Sequence, residues 1–481
     1  MKRSALGTED AVEQDGPLVV RPAVVNRTER LALSAVTLFF GGAYALNGLF
    51  RHWRFDSGAY DLGIFDQAVW HLSRFEAPAS TIRGFNNLLG DHFSPVIALF
   101  APLYWIAPHA ETLIVAQAAL LAASIVPVFL FIRSRLPFEP ACAMAVAYGF
   151  YWGIQRTADF DVHEMAFAPL AIASAILVMD RGRWRVFWIA VATIALIKED
   201  LIPLAGGFGV YLILIGERRR GGILIASSIA AFALVVGIVV PALNDAHGYG
   251  YTSAYEGFLA RPWLLPITLV TPAVKVRTAL LWLLPFGLLS LASPLAVLIV
   301  PLALERLLSA NETHWGTIFH YSAPIAPIVA MSAADGLSRI SRRLGAAPHV
   351  VTAVAAAAVL LSSILPGHQP HWQLFVPDHY RLATFEEPGR TVLGLIPADA
   401  SIVAQASIVP HMSQRRSIFV LDARAPDADY VVAASPLNPW PAANFDELRA
   451  LLEERRRRGY TVLFEKNGWT VLHRQPAANR L

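Results

Sequence analysis

Residues 143–179 read AMAVAYGFYWGIQRTADFDVHEMAFAPLAIASAILVM, two apolar runs with Asp159, Asp161, His163 and Glu164 set between them. Apolar stretches of roughly 18 residues or more recur along the chain, the length a helix needs to cross a ~30 Å hydrocarbon core. The charged turn therefore reads as a point where the chain leaves a membrane and re-enters it.

Composition points the same way. Of 481 residues, 55% are hydrophobic and 16% charged, with a mean hydropathy of +0.48. A soluble protein carries about a quarter charged residues, so the expected class is an α-helical polytopic membrane protein. A net charge of +3 marks no nucleic-acid partner. The single cysteine, Cys142, lies inside an apolar run, which excludes an intrachain disulfide and a thiolate metal cluster. Residues 1–30 are polar and lack a signal-peptide core. They read as a cytoplasmic tail, and the first apolar segment as a retained anchor.

About eleven spans are expected, at 31–50, 112–132, 140–157, 165–180, 186–198, 201–216, 222–243, 277–292, 294–308, 320–337 and 350–365. With the amino terminus inside, the inner loops become RSR at 133–135, RGRWR at 181–185, ERRR at 217–220 and SRISRR at 338–343. That alternation follows the bias of Lys and Arg toward the cytoplasm. The Pro-rich stretch SPVIALFAPLYWIAP at 94–108 is short for a span and reads equally as re-entrant or interfacial.

Residues 31–365 thus form a membrane domain, and 366–481 change character. TVLGLIP, SIVAQ, SIFVL and DYVVAAS read as short strands, NFDELRALLEERRRRG as an amphipathic helix, and YTVLFEKNGWTVLHR as a hairpin around Asn467-Gly468. A small α/β domain outside the membrane is the expectation. Its Arg455–Arg458 run reads as a solvated helix face.

The polar residues collect at the outer ends of the spans. Asp56, Asp61 and Asp66 follow the first span, with Asp91 and His92 in LGDHFSP. Lys198, Glu199 and Asp200 form one outer turn, Lys275 and Arg277 open the eighth span, and His320 and Tyr321 precede the tenth. Ionisable groups near membrane depth are costly and usually functional, although an acid in a loop also sits in water at no cost. LGIFDQAVWHL has helical spacing that suits an interfacial helix with Asp61 at its start. Asp159, Asp161 and His163, with Asp91 and His92 from another loop, suit a divalent ion such as Mg²⁺ or Mn²⁺. Lys275 and Arg277 read either as phosphate contacts or as interfacial snorkels.

YDLGIFDQAVW, LGDHFSPVIALFAPLYW, DFDVHE, IKED and HYSAP resemble a domain-of-unknown-function family of bacterial and archaeal predicted membrane proteins. That family is in turn similar to the glycosyltransferase C (GT-C) superfamily, multispan enzymes that use polyprenyl-phosphate sugars. The resemblance implies a GT-C-like bundle with a catalytic Asp in the first outer loop, at Asp61 or else Asp56 or Asp66. It also implies an acidic pair after the third span, at Asp159 and Asp161, able to bind metal. The expected activity is transfer of a sugar from a polyprenyl-phosphate carrier to a glycan or protein acceptor on the outer face of the cell membrane, with no organic cofactor. The alternatives are a transporter or flippase and a non-enzymatic envelope assembly protein.

Overall fold

The computed structural model of the chain describes residues 26–382 and 388–474. Most of the tail expected at 1–30 lies outside the described residues, as do 475–481.

The first helix, Arg27–Trp53, begins at a capping box. The Asn26 side chain accepts from the Glu29 N–H at 2.9 Å, and Glu29 accepts from the Asn26 N–H at 3.2 Å. Among the described residues this helix, Ala110–Arg133 and Arg218–Leu243 are long and apolar enough to cross a membrane. A bent pair, Pro262–Val270 with Ala273–Phe286, turns by 69°. The other expected spans fall on Phe138–Phe150 with Trp152–Asp159, Phe167–Asp180, Trp184–Ala195, Ile202–Leu214, Ile299–Leu308, Ile325–Leu344 and Pro348–Ile364. Pro95–Tyr104 is a short apolar helix; at 1.5 Å per residue it reaches ~15 Å, about half of a hydrocarbon core.

At the end of the bundle expected to be cytoplasmic, arginines are tied to buried or partly buried acids. Arg133 pairs with Glu29 at 2.9 Å. Arg135 lies between Asp180 at 2.5 Å and Asp335 at 3.1 Å, with its guanidinium over the Phe131 ring. Paired charges of this kind hold helix ends together at membrane depth.

The third expected span is broken at Tyr151, whose backbone is extended (φ −60°, ψ 129°). Its hydroxyl donates to the Trp282 carbonyl at 3.1 Å, and the Trp152 indole donates to that of Leu281 at 2.8 Å. Trp152–Asp159 then leads into the charged turn. Gln117 holds that turn from the neighbouring helix, donating to the Thr157 carbonyl at 3.0 Å and accepting from the His163 N–H at 3.1 Å.

The first outer loop continues into a helix over 59–72, whose opening turn, Ala59–Gly63, is a π-turn. The expected interfacial placement is corrected: Asp66, Gln67 and His71 are buried with their apolar neighbours, because the carboxy-terminal domain covers this helix. Gln67 donates to the Arg415 carbonyl at 3.0 Å, and Thr81 to that of Ile418 at 2.7 Å.

That domain is a five-stranded sheet of β1 (Ile402–Ala404), β2 (Ile418–Val420), β3 (Tyr430–Ala434), β4 (Tyr460–Lys466) and β5 (Trp469–Arg474). The order is β2-β1-β3-β5-β4, with β1 parallel to β2 and β3, and β5 antiparallel to β3 and β4. Asn467 and Gly468 have φ of 53° and 82°, as a two-residue hairpin turn requires. TVLGLIP contains no strand: Val392, Leu393 and Ile396 are buried at a helical interval around the Gly389–Leu393 helix. Arg455 is likewise not solvated. It is buried, donating to the Ala425 and Pro426 carbonyls at 2.6 and 3.0 Å.

Candidate active site

At the same end of the bundle as the charged turn lies a cavity of about 340 Å³. Asp61, Asp91, His92, His163, Lys198, Glu199, Asp200, His320 and Tyr321 all line it. Segments scattered through the sequence therefore converge there.

One wall is built by LGDHF. Gly90 meets the Leu243 carbonyl so closely that a Cβ would stand 2.3 Å from its oxygen, so only glycine fits. Asn244 locks the approach by donating to the Gly90 carbonyl at 3.0 Å. Asp91 is then gripped by Arg83 through two bonds of 2.7 and 3.1 Å, and it accepts from the Tyr251 hydroxyl at 2.8 Å. His92 stacks on Tyr251 and meets Glu199 through Nδ1 at 2.6 Å. Glu199 also accepts from the Phe93 N–H at 2.8 Å and the Tyr249 hydroxyl at 3.0 Å. Burial pushes Glu199 up, but His92 and these bonds outweigh it and bring the carboxyl to about 2.

The floor is less settled. Lys198 is buried, with Nζ 3.4 Å from Glu164 and 3.9 Å from Asp200. Burial lowers its ammonium, yet Glu164, Asp200 and Glu199 together hold it well above its ordinary value. Glu164 is 1% exposed, and neither carboxylate oxygen has a hydrogen-bond partner in the protein. The His163 and His320 rings stack at 3.7 Å. Burial, then the neighbouring positive charges, keep both far below the usual histidine value and hence neutral at pH 7.

Asp61 enters from the π-turn, its side chain 22% exposed and its Oδ1 3.9 Å from His163 Nε2. Burial, then Asp161 and Glu164, raise its carboxyl well above the carboxylate range, while Lys198 draws it down. Such a group is a stronger base than a free carboxylate. Irregular π-turns are frequent at functional sites.

Six of the expected site residues lie elsewhere. Asp56 is half-exposed beside Arg54. Asp66 is a buried structural acid that accepts from Tyr104, Ser413 and Gln414. Lys275 is buried and donates to the Thr268 and Leu307 carbonyls at 2.9 and 2.6 Å, with its Nζ over the Trp315 ring. Arg277 is exposed outside the cavity. Asp159 accepts from Asn47 at 2.8 Å, and Asp161 from the Gly58 N–H.

These placements bear on a metal. Asp159 faces Arg156 and Asp161 faces Arg51, each at 3.9 Å, while Asp91 and His92 are committed to Arg83 and Glu199. Asp159 and Asp161 are not brought to Asp91, His92 and His163 in the cavity, and among the described residues no group of three or more His, Cys, Asp or Glu is placed to hold a metal ion. As arranged they do not fit a divalent ion.

Glu164, Arg83, Tyr249, Tyr251, Tyr255 and Glu305 also line the cavity without having been expected as site residues. For Glu164 the signal was present, as the last acid of the charged turn. For Tyr249 and Tyr251 it was the repeated Tyr of NDAHGYGY.

Over residues 51–471 the sequence matches the family described as Predicted membrane protein (DUF2079), and the chain belongs to that family. No curated protein matches it. The fold is similar to that of ArnT from Cupriavidus metallidurans, whose crystal structure was solved bound to undecaprenyl phosphate. The TM-score is 0.53 at 13% identity, covering 92% of this chain and 98% of that one. At such identity the likeness shows fold alone. That fold is a bundle of helices with a small carboxy-terminal α/β domain, and the family description adds that it is a membrane protein.

Proposed function

We propose that the chain is a membrane glycosyltransferase, moving a sugar from a polyprenyl-phosphate carrier to an acceptor hydroxyl on the outer face of the cell membrane. The observation that carries this reading is Asp61, a carboxylate of raised basicity opening from a π-turn into a polar cavity at one end of an apolar bundle. The binding of undecaprenyl phosphate by ArnT, a protein of similar fold, supports the carrier class. The acceptor is a glycan or a protein.

Asp61 takes the proton from the acceptor hydroxyl as the oxygen attacks the anomeric carbon, and the bond from that carbon to the carrier phosphate breaks. His163 faces Asp61 and orients it. The departing phosphate needs positive charge, and Lys198 and Arg83 are the cations that line the cavity. A metal at Asp159 and Asp161 enters no step. The amino terminus is taken as cytoplasmic and the carboxy-terminal domain as extracytoplasmic, from the basic loops at 181–185, 217–220 and 338–343. Transporters place their substrate sites near mid-membrane between repeated halves, whereas this cavity sits at one bundle end.

Lipid-linked glycan profiling tests the reading in a deletion strain complemented with wild-type or Asp61→Asn protein. The deletion and the Asp61→Asn strain should accumulate the same unused lipid-linked sugar. Full restoration by Asp61→Asn would remove the proposed base and the reading with it.

A further inference from the structure

We propose that Tyr60 and Trp440 form an acceptor subsite that stacks the C–H face of a pyranose ring, so that the acceptor is a glycan; this rests on the glycosyl-transfer reading above. Tyr60 precedes Asp61 in the π-turn and lines the same cavity. It is also 40% exposed, which places it at the cavity mouth. Trp440 comes from the loop after β3 in the sheet domain, and its ring meets that of Tyr60 edge to face, at 5.2 Å and 78°. Trp440 keeps half of its surface exposed. Trp263 is more exposed still, but it belongs to the apolar bent pair of the bundle, where a bilayer accounts for it. Trp440 stands on no such segment.

The loop that presents Trp440 is fixed from inside. Gln405 is buried, donating to the Leu437 and Asn438 carbonyls at 3.0 and 2.6 Å and accepting from the Ala434 N–H at 2.9 Å. The Asn438 side chain accepts from the Trp440 N–H at 3.1 Å. A ring held in this way loses little freedom when a ligand stacks on it. The same bonds decide between a glycan and a protein. The N–H groups of Ser435, Leu437, Trp440 and Ala442 are all donated within the protein, and Pro436, Pro439 and Pro441 have none. A peptide bound by its main chain needs such groups free. A sugar ring needs only aromatic faces, which are electron-rich and attract its positively polarised C–H bonds. Two rings set nearly at right angles form a corner that also fixes the orientation of the sugar.

The test uses the full-length protein in lipid nanodiscs, without donor, titrated calorimetrically with cellotetraose, maltotetraose, mannotetraose and a Gly-Ser-Thr repeat peptide. At least one oligosaccharide should bind, and the peptide should not. Trp440→Ala should weaken oligosaccharide binding about tenfold at an unchanged melting temperature, whereas Trp440→Phe, which keeps an aromatic face, should retain most of it. Trp263→Ala should bind as wild type does. Should Trp440→Ala fail to fold, Tyr60→Leu carries the same expectation. The proposal is overturned if no oligosaccharide binds, or if binding survives loss of the Trp440 ring. Peptide binding that disappears in Trp440→Ala would also overturn it and assign the surface to a protein acceptor. Neither donor nor turnover is involved, so failure here leaves the role of Asp61 intact, and a failed transfer assay leaves this binding standing.

Discussion

Nε2 of His163 lies 3.9 Å from Oδ1 of Asp61, joining the charged turn between two apolar runs to the loop after the first helix. That approach places an imidazole held neutral against a carboxylate of raised basicity. Asp61→Asn preserves shape while removing the base, so turnover of lipid-linked sugar by purified protein should fall ~10²–10⁴-fold. The melting temperature should stay within a degree or two of wild type. Wild-type turnover in a stably folded variant would end Asp61's role.

The pH profile offers a signed check. A base works only when deprotonated, so kcat/KM should fall as pH drops through a value well above the ordinary carboxylate range. Burial lifts Asp161 to about 6 against the pull of Arg51 and the Gly58 N–H, so it is largely charged at pH 7 and repels a charge on Asp61. Asp161→Asn should move the acid limb to lower pH. Lys198→Met removes an attraction and should move it to higher pH. Shifts in one common direction would assign that limb to some other group.

Asp66 is predicted to matter for structure alone. It accepts from Tyr104 on one side and from Ser413 and Gln414 of the carboxy-terminal domain on the other. Asp66→Ala strips those donors of their acceptor and should cost about 2–3 kcal/mol. Hydrogen exchange should rise around 409–418, where that domain meets the helix over 59–72. An unchanged exchange pattern would show that the domain is held elsewhere.

Lys275 separates a structural cation from a phosphate contact. With two carbonyls and the Trp315 ring as partners, Lys275→Met should lower stability by about 1–2 kcal/mol. The KM for the lipid-linked donor should not change. A raised donor KM at unaltered stability would restore the phosphate role expected of this residue.

The helical membrane class was legible because apolar runs and alternating basic loops are local features of the chain. His163 and the Lys198–Asp200 turn were legible because short loops force their charged groups toward the helix ends, and Asp61 because it opens the helix-spaced segment LGIFDQAVWHL. Other placements depended on tertiary contacts. The break at Tyr151 redirects Asp159 and Asp161 toward Asn47, Arg156, Gly58 and Arg51 instead of toward Asp91. The helix over 59–72 has the pattern of an interfacial helix, and only the covering domain buries its polar side. Lys275 and Arg277 share one outer helix end in sequence, yet packing against Trp315 buries the first and leaves the second exposed.

Sidedness is the premise on which an outer-face reaction depends. Not every inner arginine speaks to it equally. Arg133 and Arg135 are bound to Glu29, Asp180 and Asp335, so their position is explained by ion pairing alone. Arg219 and Arg342 are exposed, and the cytoplasmic preference of basic loops predicts that both face inward. In a Cys142→Ser background, an impermeant maleimide added to intact cells should label Asp446→Cys, an exposed position of the carboxy-terminal domain. Arg219→Cys and Arg342→Cys should react only after the membrane is permeabilised. Labelling of Arg219→Cys in intact cells would reverse the bundle and move the cavity to the cytoplasmic side, where the proposed transfer to an outer acceptor cannot occur.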